Sequence, residues 1–151
     1  MVGNLTDYET RQLLHNQRLG RLACQHNDQV YIVPIAYAFD GKYIYAHSRE
    51  GQKVNMMRKN PKVCFEVDLV KNLANWQTVI VQGEYQELMG EAAREALDFF
   101  VEKLDAHLTS ETSLPPKGMV NFHHEEQSTV KTIVFRIRID EISGRYEKSN
   151  H

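Results

Sequence analysis

The sequence predicts a mainly β fold with peripheral helices, its strands antiparallel in a sheet or small barrel. Three observations carry that prediction. About six segments are rich in Val, Ile, Tyr and Phe, or alternate apolar and polar residues, as strands do. Hairpin and loop signals join them, not regular helical crossovers, which disfavours a doubly wound parallel sheet. Only two or three segments carry apolar residues at helical spacing.

In chain order, Thr6-Asp-Tyr-Glu9 fits a capping box, in which a hydroxyl and a carboxylate satisfy free amides at a helix start. A helix over about residues 7–16 follows, with Leu13 and Leu14 inward and Gly20 closing the region. Arg21–Gln25 reads as a short strand and His26-Asn-Asp28 as a turn. Gln29–Phe39 is a strong strand, and Pro34 in its middle marks an edge, a bulge or a break in pairing, because proline has no N–H to donate. Asp40-Gly41 is a hairpin turn and Lys42–His47 the returning strand. Val54–Lys59 is a short helix stopped by Asn60-Pro61. Val63–Asp68 and Trp76–Leu88 are strands, with a polar loop over 71–75. In Glu91–Leu108 the residues Ala93, Leu97, Phe100, Leu104 and Leu108 form one helix face. Thr109–Ser128, with Pro115-Pro116 and Gly118, is a long polar loop of the kind that often covers a site. Lys131–Asp140 alternates, with Ile133, Phe135, Ile137 and Ile139 on one face.

Composition narrows the function classes. The chain has 151 residues, 18 Lys+Arg and 20 Asp+Glu, so its formal net charge is 18 − 20 = −2. That length suits one domain over residues 1–151. A near-neutral balance argues against a nucleic-acid binder, and 42% hydrophobic residues argue against disorder. No run approaches the ~18 apolar residues of a membrane span, and the start lacks a secretory pattern. Cys24 and Cys64 read as buried free thiols in a reducing cytoplasm. No closely spaced Cys/His pairs suggest a metal site, and neither G-x-G-x-x-G nor a P-loop is present.

The chemistry gathers in His47-Ser48-Arg49-Glu50-Gly51-Gln52-Lys53, between a strand end and a helix start. Amides there are free donors with partial positive charge. Gly51 permits close backbone approach, Ser48 adds a hydroxyl, and Lys53 and Arg49 add charge. The segment reads as a phosphate cradle or as an ordinary polar turn.

At this point a family resemblance emerges. Val33-Pro34-Ile35-Ala36-Tyr37, the run from Asp40-Gly41 to His47-Ser48, Gly51-Gln-Lys53, Asn60-Pro61-Lys-Val63, Trp76-Gln-Thr78 through Gly83, and Ile142-Ser-Gly144-Arg145 occur in order over about residues 19–146. The set resembles the flavin-binding split β-barrel family of pyridoxamine 5′-phosphate oxidase, in style nearest its nitroimidazole-resistance relatives. The resemblance implies an antiparallel six-stranded split barrel, and a homodimer with FMN between subunits. It implies that Ser48 and Lys53 hold the phosphate with help from His47, Gly51 and Gln52. It implies that Val33, Pro34, Ile35 and Ala36 lie along the flavin, and that Trp76, Thr78 and Val79 reach it from the other subunit, with Arg145 nearby.

Two departures from the vitamin-making enzymes stand out. Gln52-Lys53 replaces an Arg-Lys pair, leaving Arg49 as the substitute cation, and only Glu147–His151 follow Tyr146 where those enzymes carry a substrate-binding extension. Pyridoxamine phosphate is therefore not the expected substrate. The expected activity is hydride transfer from a reduced nicotinamide through flavin to a small acceptor such as a nitro compound. His47 is the candidate catalytic side chain, with a hydrogen-bonding role as its alternative. Phe122, His123 and His124 sit in the loop that would close over the flavin. A carrier or sensor, or a haem- or deazaflavin-binding use of the same fold, stands as the alternative function.

Overall fold

The computed structural model describes residues 1–108 and 131–150. The long polar loop, with Phe122, His123 and His124, lies outside the described residues. The elements follow in order: β1 (Val2–Asn4), α1 (Asp7–Asn16), β2 (Leu19–His26), β3 (Gln29–Ala36), β4 (Ala38–Phe39) and β5 (Tyr43–Arg49). After these come α2 (Gln52–Lys59), β6 (Lys62–Asn72), β7 (Asn75–Leu88), α3 (Gly90–Leu108) and β8 (Thr132–Glu147).

Every strand pair is antiparallel, and the path runs β3-β2-β6-β7-β8-β5-β4, with β1 on β8. The two ends of that path, β3 and β4, are separated in sequence by Tyr37 alone. Consecutive Cα atoms are only about 3.8 Å apart, so the sheet must curl until its ends meet. They meet through the covalent chain and not through a ladder, which makes this a split barrel. Tyr37 is the corner post. It is fully buried, its N–H donates to the Arg18 carbonyl at 3.0 Å, and its hydroxyl donates to the Leu14 carbonyl at 2.7 Å.

Local chemistry sets the connections. The β2–β3 turn holds Asn27 and Asp28 at φ of 51° and 61°, the left-handed pair of a tight two-residue hairpin. Asp40 caps the next hairpin, its carboxylate accepting from the amides of Lys42 and Tyr43 at 2.8 and 2.6 Å. Pro34 lies on β3, which pairs only with β2, so its missing donor falls on an edge strand.

Three differences from the sequence reading have physical causes. β1 is three residues long and exists by pairing with residues 145–147 at the far end of the chain, a contact no local pattern announces. The strand expected over 29–39 breaks at the Tyr37 corner. The last strand does not stop at Asp140 but runs to Glu147. Its register shifts where Gln82 opposes Glu141 while Gly83 opposes Ile139, leaving Asp140 as the extra residue of a bulge. The bulge interrupts the alternation, so the pattern appears to end there. With β1 and β4 counted, the described residues form eight strands.

The main core joins Leu14 of α1 to Leu22, Tyr37, Phe65, Val67, Val79 and Phe135 inside the curled sheet. A smaller cluster packs Phe100 and Leu104 of α3 on Ala38, with Ala36 and Phe99 at its margin. The predicted α3 face is thus realised over its described part, with Ala96 added to it.

Candidate functional site

The segment expected to cradle a phosphate lies where β5 hands over to α2. Gly51 is the N-cap residue, in an extended conformation, and no side chain caps the helix. No acidic residue occupies the first turn of α2. The nearest carboxylate, Glu50, is drawn away by Arg58, which donates to both of its oxygens at 2.9 Å and also to Glu87 at 2.8 Å. The carboxylate next to this helix start is thus already paired to a guanidinium.

Lys53 is half-buried, and among the described residues it has no carboxylate partner. Burial pushes its ammonium below the usual lysine range, while the Cys24 thiol pulls weakly the other way. The Cys24 thiol is itself pushed up by burial. A desolvated cation without a counter-charge is held at a free-energy cost that an incoming anion removes.

Strand alternation divides the neighbouring side chains. Ser48 follows Ile44 and Ala46 on the inward side and donates to the Arg49 carbonyl at 3.0 Å. His47 points the other way, its ring edge-on to Phe100 of α3 with centroids 4.9 Å apart. The structure therefore brings Ser48, Gly51, Gln52 and Lys53 together at the strand–helix junction. It places His47 on the other side of the strand.

Along β3, Pro34 is exposed and Val33 half-buried, while Ile35 leans on the main core and Ala36 on the smaller cluster. The outer edge of β3 carries no strand partner among the described residues, so its backbone groups there face outward.

The three β7 residues lie elsewhere in the protomer, with β2 and β6 between β7 and β3. The Trp76 indole N–H donates to Glu147 at 2.9 Å, beside a cavity of about 230 Å³ that also touches Lys71, Tyr146 and Lys148. The Thr78 hydroxyl donates to Glu66 at 2.7 Å, and Arg145 is exposed in register with Thr78. Burial, with Asp68 adding to it, raises the Glu66 carboxyl above its ordinary range, against the pull of Thr78 and Arg21. Val79 is 0% exposed and paired to Val67 and Gly144, so its side chain belongs to the core and is not presented to a ligand.

A larger cavity, of about 450 Å³, opens on the outer side of α2. Gly51 and Gln52 line it together with Asn55, Met56 and Lys59 of α2 and His26, Asn27 and Gln29 of the β2–β3 turn. Sequence reasoning passed over Asn55, Lys59, His26 and Gln29. The available signal was the spacing of Gln52, Asn55, Met56 and Lys59, which puts all four on one helix face.

Residues 6–146 match the family model of pyridoxamine 5′-phosphate oxidase. The chain belongs to that family. An uncharacterised protein of Rhizobium meliloti is 36% identical over 130 residues, covering 84% of this chain and 83% of its own. The crystal structure of an FAD-binding protein from Mesorhizobium loti superposes with a TM-score of 0.70 at 32% identity, covering 99% of this chain and 98% of the other. A proposed 5-nitroimidazole antibiotic resistance protein of Bacteroides thetaiotaomicron shares the fold, with a TM-score of 0.70 at 16% identity over 97% of this chain and 87% of that one.

Within this pyridoxamine 5′-phosphate oxidase family member, two of the motif glycines have structural reasons. A Cβ at Gly83 would press on the Arg138 carbonyl beside the bulge, and one at Gly144 would meet Thr10 and Leu5, where α1 seats on β8. Gly51 is different, because a Cβ there would meet nothing within 4 Å. No described helix is long and apolar enough to cross a membrane, and no metal-binding group of three His, Cys, Asp or Glu side chains occurs among the described residues.

Proposed function

We propose that the protein is a flavin-dependent oxidoreductase, one domain per chain and two chains per active unit. It holds FMN, alone or as the flavin half of FAD. The observation that carries this is Lys53, a half-buried cation with no carboxylate partner among the described residues, beside a helix start with neither a side-chain cap nor an acid in its first turn. The residues fit a phosphate. Ser48, the amides after Gly51 and the Lys53 ammonium supply hydroxyl, backbone and charged donors, and the open space at Gly51 leaves room for the group. A bound flavin supplies hydride and electron transfer at its ring, and the protein supplies position and surroundings.

The remaining residues take supporting parts. Val33 and Pro34 offer an apolar strip with outward backbone groups for the ring and ribityl chain. A second copy covers the outer face of the sheet, where Val30, Ile32 and Val70 are 69%, 65% and 58% exposed. That copy brings its own Trp76 and Thr78 toward the flavin. Val79 drops out of the ligand set because its side chain is buried. His47, edge-on to Phe100 of α3, positions the end of β5 and does not join the phosphate. The donor is a reduced nicotinamide and the acceptor a small molecule of the nitro-compound class. The Mesorhizobium loti relative, an FAD-binding protein by name, supports the flavin reading.

Purified protein tests this. A flavin spectrum released on heating, and bleached anaerobically by NADH or NADPH and restored by a nitro compound, is the expected result. A bound flavin that no donor bleaches would make the protein a carrier. A Soret band would make it a haem protein. Retention of flavin by a diluted monomer would remove the two-chain site.

A further inference from the structure

We infer that Arg58 is the positioning residue of the phosphate cradle: it occupies the Glu50 carboxylate, which when released competes with a phosphate for the open start of α2. This rests on the flavin-phosphate reading above and adds to it the residue that keeps the site available to an anion.

Arg58 lies in the last turn of α2, yet its guanidinium returns to the residue before the N-cap. It makes two forks. Nη1 and Nη2 donate to the two oxygens of Glu50 at 2.9 Å each, while Nε and Nη2 donate to the two oxygens of Glu87 at 2.8 and 3.1 Å. Bidentate pairing on both sides fixes the plane of the guanidinium. The far carboxylate is anchored in turn. Glu87, on β7, accepts from the Tyr85 hydroxyl at 2.6 Å, and Tyr85 is buried against Phe135 with ring centroids 5.1 Å apart. The Arg58 hydrogen bonds hold the Glu87 carboxyl below its ordinary range, so it stays ionised. The Tyr85 amide also donates to the Pro61 carbonyl at 2.7 Å, just past the end of α2. The clamp on Glu50 therefore rests on the core and is a network, not an isolated surface pair.

Glu50 matters because of where it stands. It directly precedes the N-cap Gly51, and Lys53 follows in the first turn of α2. A helix start attracts negative side chains, and this one has neither a side-chain cap nor an acid in its first turn. A glutamate released there turns toward the first-turn amides and the Lys53 ammonium, the same donors proposed for the phosphate. Being tethered, it competes at a high effective concentration. At α1 a glutamate does fill a helix start, the Glu9 carboxylate accepting from the Thr6 amide at 2.9 Å. At α2 the two forks of Arg58 commit the available carboxylate elsewhere.

The test titrates flavin-free protein with FMN and riboflavin, which share the ring and differ in the phosphate. Arg58→Met is expected to weaken FMN about tenfold and to leave riboflavin within about twofold. Glu50→Gln alone should leave FMN within about twofold. The double variant, Arg58→Met with Glu50→Gln, lacks both the clamp and the competing carboxylate, and should recover FMN affinity to within about threefold of the unsubstituted protein. A purely structural role for Arg58 would leave the double variant as weak as Arg58→Met. That result, or full FMN affinity in Arg58→Met, would overturn this inference alone. An unsubstituted protein that binds FMN no more tightly than riboflavin would overturn the phosphate reading and this inference with it. Circular dichroism reports the fold of each variant. If Arg58→Met does not fold, Arg58→Lys, which keeps the charge and loses both forks, takes its place in the same titrations.

Discussion

The starts of α1 and α2 are built on opposite plans. At α1 the Thr6 side chain accepts from the Glu9 amide at 3.1 Å, and the Glu9 carboxylate accepts from the Thr6 amide at 2.9 Å. Asp7 and Glu9 add negative charge to that first turn, and the box holds the Glu9 carboxyl below its ordinary range. At α2 the cap is Gly51, no side chain satisfies the amides, no acid is present, and Lys53 adds positive charge. The first helix start is chemically complete. The second keeps its donors and a cation in reserve, a common local arrangement for receiving an anion. On the proposed reading, what separates a structural helix start from a binding one is not the backbone but which side chains are withheld.

The sharpest way to break this comparison is to change Lys53. Lys53→Ala should weaken FMN binding by about 1.5–3 kcal/mol, the range of hydrogen bonds to charged groups. It should leave the thermal stability of the flavin-free protein unchanged or raised, because it removes a desolvated charge. Calorimetric titration and a melting curve measure both, and unchanged affinity would end the phosphate assignment. A pair of glycines comes next. Gly83→Ala forces a methyl against the Arg138 carbonyl and should cost about 1–3 kcal/mol of stability, as overpacking does. Gly51→Ala should cost little stability, since its backbone is extended and its surroundings open, yet it should weaken flavin binding by filling the cradle. Equal stability losses at the two positions would show that Gly51 is structural after all.

These regions also differ in how far the sequence disclosed them. The α1 box is readable because Thr6 and Glu9 act on each other within four residues. The Asp40-Gly41 hairpin and the α3 face are local in the same way. The cradle was legible as a composition, but its geometry was half hidden. Adjacent strand residues point to opposite faces, so His47 and Ser48 diverge, and the register of β5 decides which of them lies on the inward side. The cavity beside α2 needed tertiary structure, because it brings the 26–29 turn against the 52–59 helix. The ion pairs that hold Glu50 likewise join residues 50, 58 and 87. Where β7 and β8 slip at Gly83, the bulge broke the alternation on which strand reading depends.

Removing the structural cap is the complementary change. Thr6→Ala should destabilise the fold by about 1 kcal/mol, the usual value of a lost N-cap. Flavin affinity should not change, because α1 seats against β8 and the core and does not line the cavity beside α2. Denaturant unfolding and flavin titration separate the two effects. A Thr6→Ala protein that loses flavin would show the two helix starts to be coupled through the core, which would blur the contrast drawn between them.

The last effect is a pH dependence that only the open helix start should produce. Burial lowers the Lys53 pKa in the flavin-free fold relative to the unfolded chain. The folded state therefore prefers the neutral amine, and the lysine penalty on stability is full below the folded pKa and fades as pH rises through it. A bound phosphate reverses the preference by favouring the ammonium. FMN affinity should thus decline as pH rises past the lowered Lys53 pKa, by at most about tenfold per pH unit for one proton. On the acid side it should fall below about pH 6, where the phosphate dianion takes up a proton and becomes a monoanion. Riboflavin has the same ring and no phosphate, so its affinity should lack the lysine-linked decline and reports any titration of the ring itself. An alkaline decline for FMN that riboflavin reproduces would assign the effect to the ring and leave Lys53 outside the site. A decline for FMN alone, abolished in Lys53→Met, identifies the buried ammonium as the group that meets the phosphate.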